Sequence, residues 1–202
     1  MDDKQGSFYS QYDVYSNGSQ KVEYLANTDL VVYYDNLTGG KAEGKQQRSE
    51  EELLQIAKDF LQKCMGAEAV SQYTYSGMDL DLGGITALAF DRLIEGYKTD
   101  DLLSVFFADD GTVLGYNGRN ACKFDAVSTK LTKEKLDAAT QKLMEKIEAL
   151  GLDSFERGAP VLTTNTSGEV FIKIWIRYEV TENPNETETA YTHLGSLYVR
   201  VN

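Results

Sequence analysis

The chain has 202 residues, 42% of them hydrophobic, and carries 32 acidic against 20 basic side chains for a formal net charge of −12. A chain of this length corresponds to one large domain or two small ones and can bury a core without a metal or a disulfide. The negative charge disfavours binding to nucleic acids and anionic lipid surfaces.

The N-terminal region shows no signal peptide, and no stretch of the chain approaches the roughly 20 apolar residues of a membrane span. The polar start of the chain, residues 1–7, fits a protein that has lost a leader or a lipid anchor. A plain cytosolic N-terminus would give the same string, so both alternatives stay open.

Residues 8–38 have the pattern of a three-stranded meander. Asn17-Gly18 is a favoured two-residue hairpin turn between two of its strands. The predicted strands are 8–15, 21–25 and 30–34. The polar, Gly-rich segment 39–48 is predicted to be a linker or loop. We therefore predict that residues 1–48 form an N-terminal strand meander with its linker.

Two amphipathic helices follow, each succeeded by turn-punctuated strands. The first is predicted over Ser49–Met65, where Ser49 and Glu52 match a capping box. The second is predicted over Thr132–Leu150, with the same spacing of apolar residues. We therefore predict an α+β fold of tandem helix-plus-antiparallel-sheet repeats, each with one helix packed across a small sheet. The repeats are expected at residues 49–126 and 127–202.

The segment Phe90–Tyr116 resembles the signature of the PepSY and YcdB/YcdC-type repeat family. The resemblance is carried by Glu95-Gly96-Tyr97, Asp101, the apolar strand that follows, and Asp110-Gly111. The helix starts at Ser49 and Thr132 are similar to that family's Ser/Thr-x-x-Glu entry. The resemblance implies a bacterial, extracytoplasmic module, of a kind associated with protease propeptides. It implies no catalytic residue.

The sequence gives little support for any catalytic group. His193 is the single histidine, and no G-x-S-x-G motif supplies a nucleophile for it. The pairs Asp100-Asp101 and Asp109-Asp110 could act as general acid and base if two hairpin ends met. Because Asp before Gly is also the usual composition of a tight turn, a structural role is the favoured interpretation.

The sequence gives equally little support for a metal site or a redox-active group. Asp79, Asp81 and Gly83-Gly84 suggest a calcium loop, but the positions that an EF-hand template requires hold other residues. Cys64 and Cys122 could form one disulfide, the alternative being two buried, inert thiols. We therefore predict no metal site and no cofactor.

Tyrosines crowd the N-terminal meander, and tyrosine supplies amphipathic contact area at interfaces. The candidate interaction surface consists of Tyr9, Tyr15, Tyr24 and Tyr33. The alternative is that these rings cover the outer face of the sheet or the joint between the repeats. Trp175, within another strand, is expected in the core.

The sequence therefore predicts a non-enzymatic, extracytoplasmic bacterial protein, secreted or attached to the cell envelope, that binds a protein partner. Restraint of a protease is the specific role that the family resemblance implies. The alternative is a small-ligand-binding protein that holds its ligand on a concave sheet face. A hydrolase that uses His193 is the third hypothesis.

Overall fold

A computed structural model describes residues 3–5, 12–36, 48–79, 85–152, 154–181 and 190–201. The strands are β1 (Asp3–Gln5), β2 (Tyr12–Ser16), β3 (Gln20–Leu25), β4 (Val31–Asn36), β5 (Tyr73–Asp79), β6 (Thr86–Ile94), β7 (Tyr97–Phe107), β8 (Val113–Asn117), β9 (Glu156–Arg157), β10 (Val161–Thr164), β11 (Val170–Thr181) and β12 (Ala190–Arg200). The helices are α1 (Glu50–Met65), α2 (Ala67–Val70) and α3 (Lys133–Glu148), with a 3-10 helix at Ser128–Lys130.

The prediction of tandem helix-plus-sheet repeats is wrong. The described strands form one mixed sheet in the hydrogen-bonded order β1-β2-β3-β4-β8-β7-β10-β11-β12, with β6 bonded to β7, β5 to β6 and β9 to β11. The meander joins this sheet through the antiparallel pair β4–β8, and β10 runs parallel to β7. Both pairings join segments that are distant in sequence, and no local pattern specifies them.

The chain divides into two compact units that do not follow the order of the sequence. Unit 1 comprises Met1–Arg92 and Asp101–Cys122, and unit 2 comprises Leu93–Asp100 and Lys123–Asn202. Strands β6 and β7 therefore each contribute residues to both units. The boundaries expected after residues 48 and 126 stay predictions.

In unit 1, helix α1 covers one face of the strands as its apolar stripe predicted. The capping box is confirmed: the Glu52 N–H donates to Ser49 Oγ at 3.3 Å, and the Ser49 N–H donates to Glu52 Oε2 at 2.9 Å. The bond from the Ser49 backbone lowers the pKa of Glu52 below its usual value. The core residues of α1 are Leu53, Ala57, Leu61 and Cys64, and they pack with Leu88, Phe90, Leu103, Val105, Phe107 and Tyr116.

In unit 2, helix α3 covers one face of β11 through residues spaced as the sequence predicted. Its buried residues are Leu136, Ala139, Leu143 and Ile147. They pack with the even-numbered residues Ile172, Ile174 and Ile176 of β11. The prediction that Trp175 lies in the core is wrong, because side chains alternate along a strand and this one points to the other face, 42% exposed.

Candidate functional site

The meander prediction is confirmed for β2, β3 and β4, and its register decides where the tyrosines lie. Asp13 of β2 pairs with Tyr24 of β3, so Tyr15, two residues from Asp13, lies on the same face as Tyr24. Glu23 pairs with Tyr33, and Tyr33 therefore lies on the opposite face. The structure brings two of the four predicted surface tyrosines together and separates the third, and Tyr9 lies outside the described residues.

The rings of Tyr15 and Tyr24 meet edge to face, with centroids 5.7 Å apart and planes at 90°. Together with neighbouring residues they line an open cavity of about 310 Å³. We call this cavity the tyrosine hollow; the described residues that line it are Asp13, Tyr15, Tyr24, Thr28 and Asp29. It combines two aromatic rings with polar side chains, a combination that is common at protein interfaces.

The rim of the tyrosine hollow is a hydrogen-bonded turn between β3 and β4. The Leu25 N–H donates to the Leu30 carbonyl at 2.9 Å, and Thr28 Oγ1 donates to the Leu25 carbonyl at 2.8 Å. Asn27 adopts a φ of 62°, a conformation in which asparagine is enriched. The turn therefore holds Thr28 and Asp29 in place beside the two rings.

The opposite face of the meander carries a different arrangement, which we call the Tyr33 cluster: Lys21, Glu23, Tyr33 and Arg119. The Arg119 guanidinium lies 4.2 Å from the centroid of the Tyr33 ring. It donates to both oxygens of Glu23, at 3.0 and 2.9 Å. Lys21 Nζ lies 2.7 Å from Glu23 Oε1 and 5.4 Å from the Tyr33 ring centroid. This tyrosine therefore already has cations of its own chain against it.

The electrostatics of the Tyr33 cluster follow from this pairing. Burial raises the pKa of Glu23, which is 5% exposed, but the hydrogen bonds from Arg119 and Lys21 outweigh burial and hold the pKa below its usual value. The hydrogen bonds to Glu23 also raise the pKa of Arg119. Both groups are therefore kept in their charged forms, and the cluster stabilises the fold.

Sequence reasoning missed a buried polar cluster in the core of unit 1. Tyr73 Oη donates to Asp101 Oδ1 at 2.6 Å, Arg92 Nη1 donates to Asp101 Oδ2 at 2.9 Å, and the Cys122 N–H donates to Tyr73 Oη at 3.0 Å. The three side chains are at most 8% exposed. Burial, followed by the charge of Asp101, raises the pKa of Tyr73. The cluster is therefore closed to a substrate. The sequence signal that could have revealed it is Arg92, a charged residue at an inward-facing position of a strand with alternating apolar residues.

The aspartate pairs considered as acid and base do not meet. Asp100 and Asp101 are neighbours on β7 and point to opposite faces. Asp100 Oδ2 accepts from Lys123 Nζ and from Thr163 Oγ1, both at 2.7 Å. Asp109 lies eight positions along the chain from Asp101, which corresponds to roughly 25 Å of extended strand.

Asp110 has the turn role that the sequence favoured. Its Oδ1 accepts from the Thr112 N–H at 3.0 Å, and Gly111 follows with a φ of 84°. The Arg48 N–H donates to the Asp109 carbonyl at 3.0 Å, which ties this turn to the start of α1. Both residues therefore shape the β7–β8 hairpin.

The remaining candidates hold no assembled site in the part of the chain that the structure describes. His193 is exposed and stacks on Tyr178, with ring centroids 5.6 Å apart. Asp79 ends β5, whereas residues 80–84 of the candidate calcium loop lie outside the described residues. Among described residues no group of three or more His, Cys, Asp or Glu side chains is placed to bind a metal ion.

The two cysteines are free thiols. Cys64 is buried in the core of unit 1, and burial raises the pKa of its thiol to about 12. A thiol with so high a pKa carries almost no thiolate at neutral pH and is a poor nucleophile. The interpretation of an inert thiol therefore suits Cys64, while Cys122 is half-buried.

A second cavity, of about 260 Å³, lies at the ends of β4 and β8. Tyr33, Asn36, Phe106 and Leu114 are among the residues that line it. Tyr34 and Tyr116, which pack in the core of unit 1 with residues of α1, also line it. This cavity bears on the alternative hypothesis of a small-ligand-binding protein.

Among the described residues, no helix is both long and apolar enough to cross a membrane. A scan against protein-family models gives no match to this chain. A search of curated proteins gives no significant match either.

Proposed function

We propose that this protein is a non-catalytic binding module and that it contacts a protein partner through the tyrosine hollow. The observation that carries the proposal is the perpendicular pair of Tyr15 and Tyr24, which lines an open cavity at a hydrogen-bonded turn. The Tyr33 cluster and the buried Tyr73–Arg92–Asp101 cluster, by contrast, are built from groups that bind one another.

Tyrosine rings suit this role because they offer a large, rigid contact area with a polar tip, and they are enriched at protein interfaces. Tyr15 and Tyr24 are both half-buried, so part of each ring is already held by the fold. Binding a partner then costs little side-chain entropy. The location outside the cytoplasm and the restraint of a protease belong to the proposal through the sequence resemblance of Phe90–Tyr116.

Site-specific photo-crosslinking tests the proposal. The full chain, expressed in its source organism, would carry benzoyl-phenylalanine in place of Tyr24, or in place of Lys142 on the exposed face of α3 as a control. We expect a discrete crosslinked protein from position 24 only. The partner identified in this way should bind the Tyr15→Leu/Tyr24→Leu variant at least roughly tenfold more weakly. Equal crosslinking from both positions, or an unchanged affinity, would contradict the proposal.

The second candidate function, binding of a small ligand, is favoured by the 260 Å³ cavity at the ends of β4 and β8. A thermal-shift screen against a metabolite library tests it, because a ligand present at 100 times its Kd stabilises the folded state by about 2.7 kcal/mol. A shift that persists in the Tyr15→Leu/Tyr24→Leu variant, but is lost in a variant of the cavity-lining Leu114, would assign the ligand to this cavity. An unchanged Tm across the library would count against the second function.

A further inference from the structure

We infer that the protein forms a dimer in which two copies pair antiparallel through β12, so that their sheets join edge to edge. Strand β12 belongs to unit 2, whereas the residues of the tyrosine hollow belong to unit 1, so the inference stands apart from the proposed function. It is argued from the exposure of β12, from its lack of the features that protect sheet edges, and from the match between this strand and its own two-fold copy.

Strand β12 lies at one end of the hydrogen-bonded order of the described strands, next to β11. Residues 192–196 are all exposed, and Gly195 among them shows that the backbone itself is open, because glycine has no side chain to expose. No described atom beyond its chain neighbours lies within 4 Å of the place that a Cβ of Gly195 would take. Leu194 is 73% exposed and Tyr198 is 47% exposed. The edge therefore has room for a further strand.

The other sheet edges carry protective features that β12 lacks. Natural sheets protect an edge by keeping it short, by placing charges or proline on it, or by a bulge. Strand β1, at the other end of the order, has three residues and carries Asp3 and Lys4. Strand β5 has a register shift between Tyr75 and Gly77. Strand β12 has 11 residues with no proline, lysine or acidic side chain, and its register with β11 runs without a shift. An edge of this kind favours pairing with another strand.

The register with β11 decides which backbone groups of β12 face outwards. Hydrogen-bonded and non-hydrogen-bonded pairs alternate along an antiparallel ladder. The Val201 N–H donates to the Val170 carbonyl at 2.9 Å, which marks a hydrogen-bonded pair. Counting from there, Trp175 and Ser196 form a non-hydrogen-bonded pair, and the Trp175 carbonyl accordingly accepts from the Gly158 N–H at 3.0 Å on its other side. The N–H and C=O groups of Ser196, and of every second residue over 192–200, therefore point away from β11.

These outward groups match those of a second copy related by a two-fold axis at Ser196. An antiparallel copy placed there sets Ser196 against Ser196 and Leu194 against Tyr198, with the outward N–H and C=O groups meeting as hydrogen-bonded pairs. The exposed leucine and tyrosine then cover each other twice, beside the 42% exposed Trp175, which is diagonal to both on the same face. Although the chain has a net charge of −12, no carboxylate of one β12 meets a carboxylate of the other.

Sedimentation equilibrium of the full chain over a range of concentrations tests the inference. We expect a monomer–dimer equilibrium with a Kd in the micromolar range. Leu194→Lys and Tyr198→Glu should each raise this Kd at least roughly tenfold, because each sets a charge against an apolar side chain at two symmetry-related places. The matched control is Leu150→Lys, which places the same charge at a 47% exposed leucine outside β12 and should dimerise as the wild type does.

An equimolar mixture of Leu194→Lys and Tyr198→Glu tests the register. In the heterodimer, one site pairs the introduced lysine with the introduced glutamate, and the other site keeps the native Leu194 and Tyr198. We therefore expect the mixture to dimerise with a Kd within about threefold of that of the wild type. Recovery would also show that both variants are folded. A mixture as weak as the single variants would overturn the inference.

The remaining outcomes also decide against the inference. A wild type that stays monomeric at millimolar concentration would overturn it, even if an extended segment of another protein were found to pair with β12. A dimer that tolerates Leu194→Lys, or one that is lost in Tyr15→Leu/Tyr24→Leu, would place the contact on another surface. Equal losses in Leu194→Lys and Leu150→Lys would show an effect of the added charge that does not depend on β12.

Discussion

The two faces of the N-terminal meander use the same residue types to different ends. On one face the Tyr33 ring is held against Arg119 and Lys21, and both cations bind Glu23. On the other face Tyr15 and Tyr24 hold each other at the edge of an open cavity. The difference teaches that the ring contacts of a surface tyrosine, and not its presence in a strand, decide which tyrosines are candidates for binding a partner.

Disruption of the buried Tyr73–Arg92–Asp101 cluster should have the largest effect on stability. Asp101→Asn removes the carboxylate charge that lies 2.9 Å from Arg92 Nη1, and Arg92 is 4% exposed. Breaking a buried ion pair from one side costs about 3–5 kcal/mol of the free energy of unfolding, because the other charge stays buried. Urea unfolding measures the loss, with Asp59→Asn as a control expected to fall within about 0.5 kcal/mol of the wild type. A loss below about 1 kcal/mol for Asp101→Asn would contradict this account of the cluster.

Removing the cation of the Tyr33 cluster should have the next largest effect. Arg119→Ala leaves Glu23, which is 5% exposed, with Lys21 as its remaining cation within this cluster, and we expect a loss of about 1–3 kcal/mol in the free energy of unfolding. The matched control is Arg177→Ala, because that arginine forms an exposed ion pair with Glu156 at 3.6 Å. Exposed pairs contribute about 0–1 kcal/mol. Equal losses in both variants would remove the distinction between a closed cluster and an ordinary surface pair.

The same cluster predicts a smaller, pH-dependent effect. The folded-state pKa of Glu23 lies below its ordinary value of 4.5, so its charged form stabilises the folded state above that pH, and this contribution is lost as the pH falls through the folded-state pKa. Glu23→Gln should therefore lower the free energy of unfolding by about 1 kcal/mol at neutral pH. Urea unfolding at a series of pH values should show this difference shrinking below pH 4.5. If the difference in the free energy of unfolding between the wild type and Glu23→Gln grew on acidification, it would contradict this prediction.

The tyrosine hollow should show the smallest effect on stability. Tyr24→Leu keeps an apolar side chain at a half-buried position and loses one edge-to-face ring contact, which is worth about 0.5–1.5 kcal/mol. Because leucine keeps part of the packing, we expect a loss in the free energy of unfolding near the lower end of this range while binding is weakened. A loss above about 1.5 kcal/mol, measured by urea unfolding, would mean that the ring pair is part of the core and not a contact surface.

Local features of the fold could be predicted from the sequence. The Ser49–Glu52 capping box and the apolar stripes of α1 and α3 depend on residues within a few positions of one another. The turn at Asn17-Gly18 has the same character, with Asn17 Oδ1 accepting from the Gln20 N–H at 2.8 Å and Gly18 at a φ of 82°. In each case the physical cause lies inside the segment.

The division of the tyrosines between two faces could not be predicted in the same way. It depends on the register between β3 and β4, which shifts at a bulge between Glu23 and Tyr24. It also depends on Arg119, which reaches the meander because β8 pairs with β4 and the Gly118 N–H donates to the Val32 carbonyl at 2.8 Å. Pairings between distant strands decide both, and for the same reason the single mixed sheet was missed.

The most direct test of the account is the affinity of the crosslinked partner for two variants measured side by side, Tyr24→Leu and Tyr33→Leu. Both remove one tyrosine from the same three strands, one from each face. The account predicts a Kd at least roughly tenfold higher for Tyr24→Leu and an unchanged Kd for Tyr33→Leu, because the Tyr33 ring is already occupied by Arg119. Equal losses, or a larger loss for Tyr33→Leu, would contradict it.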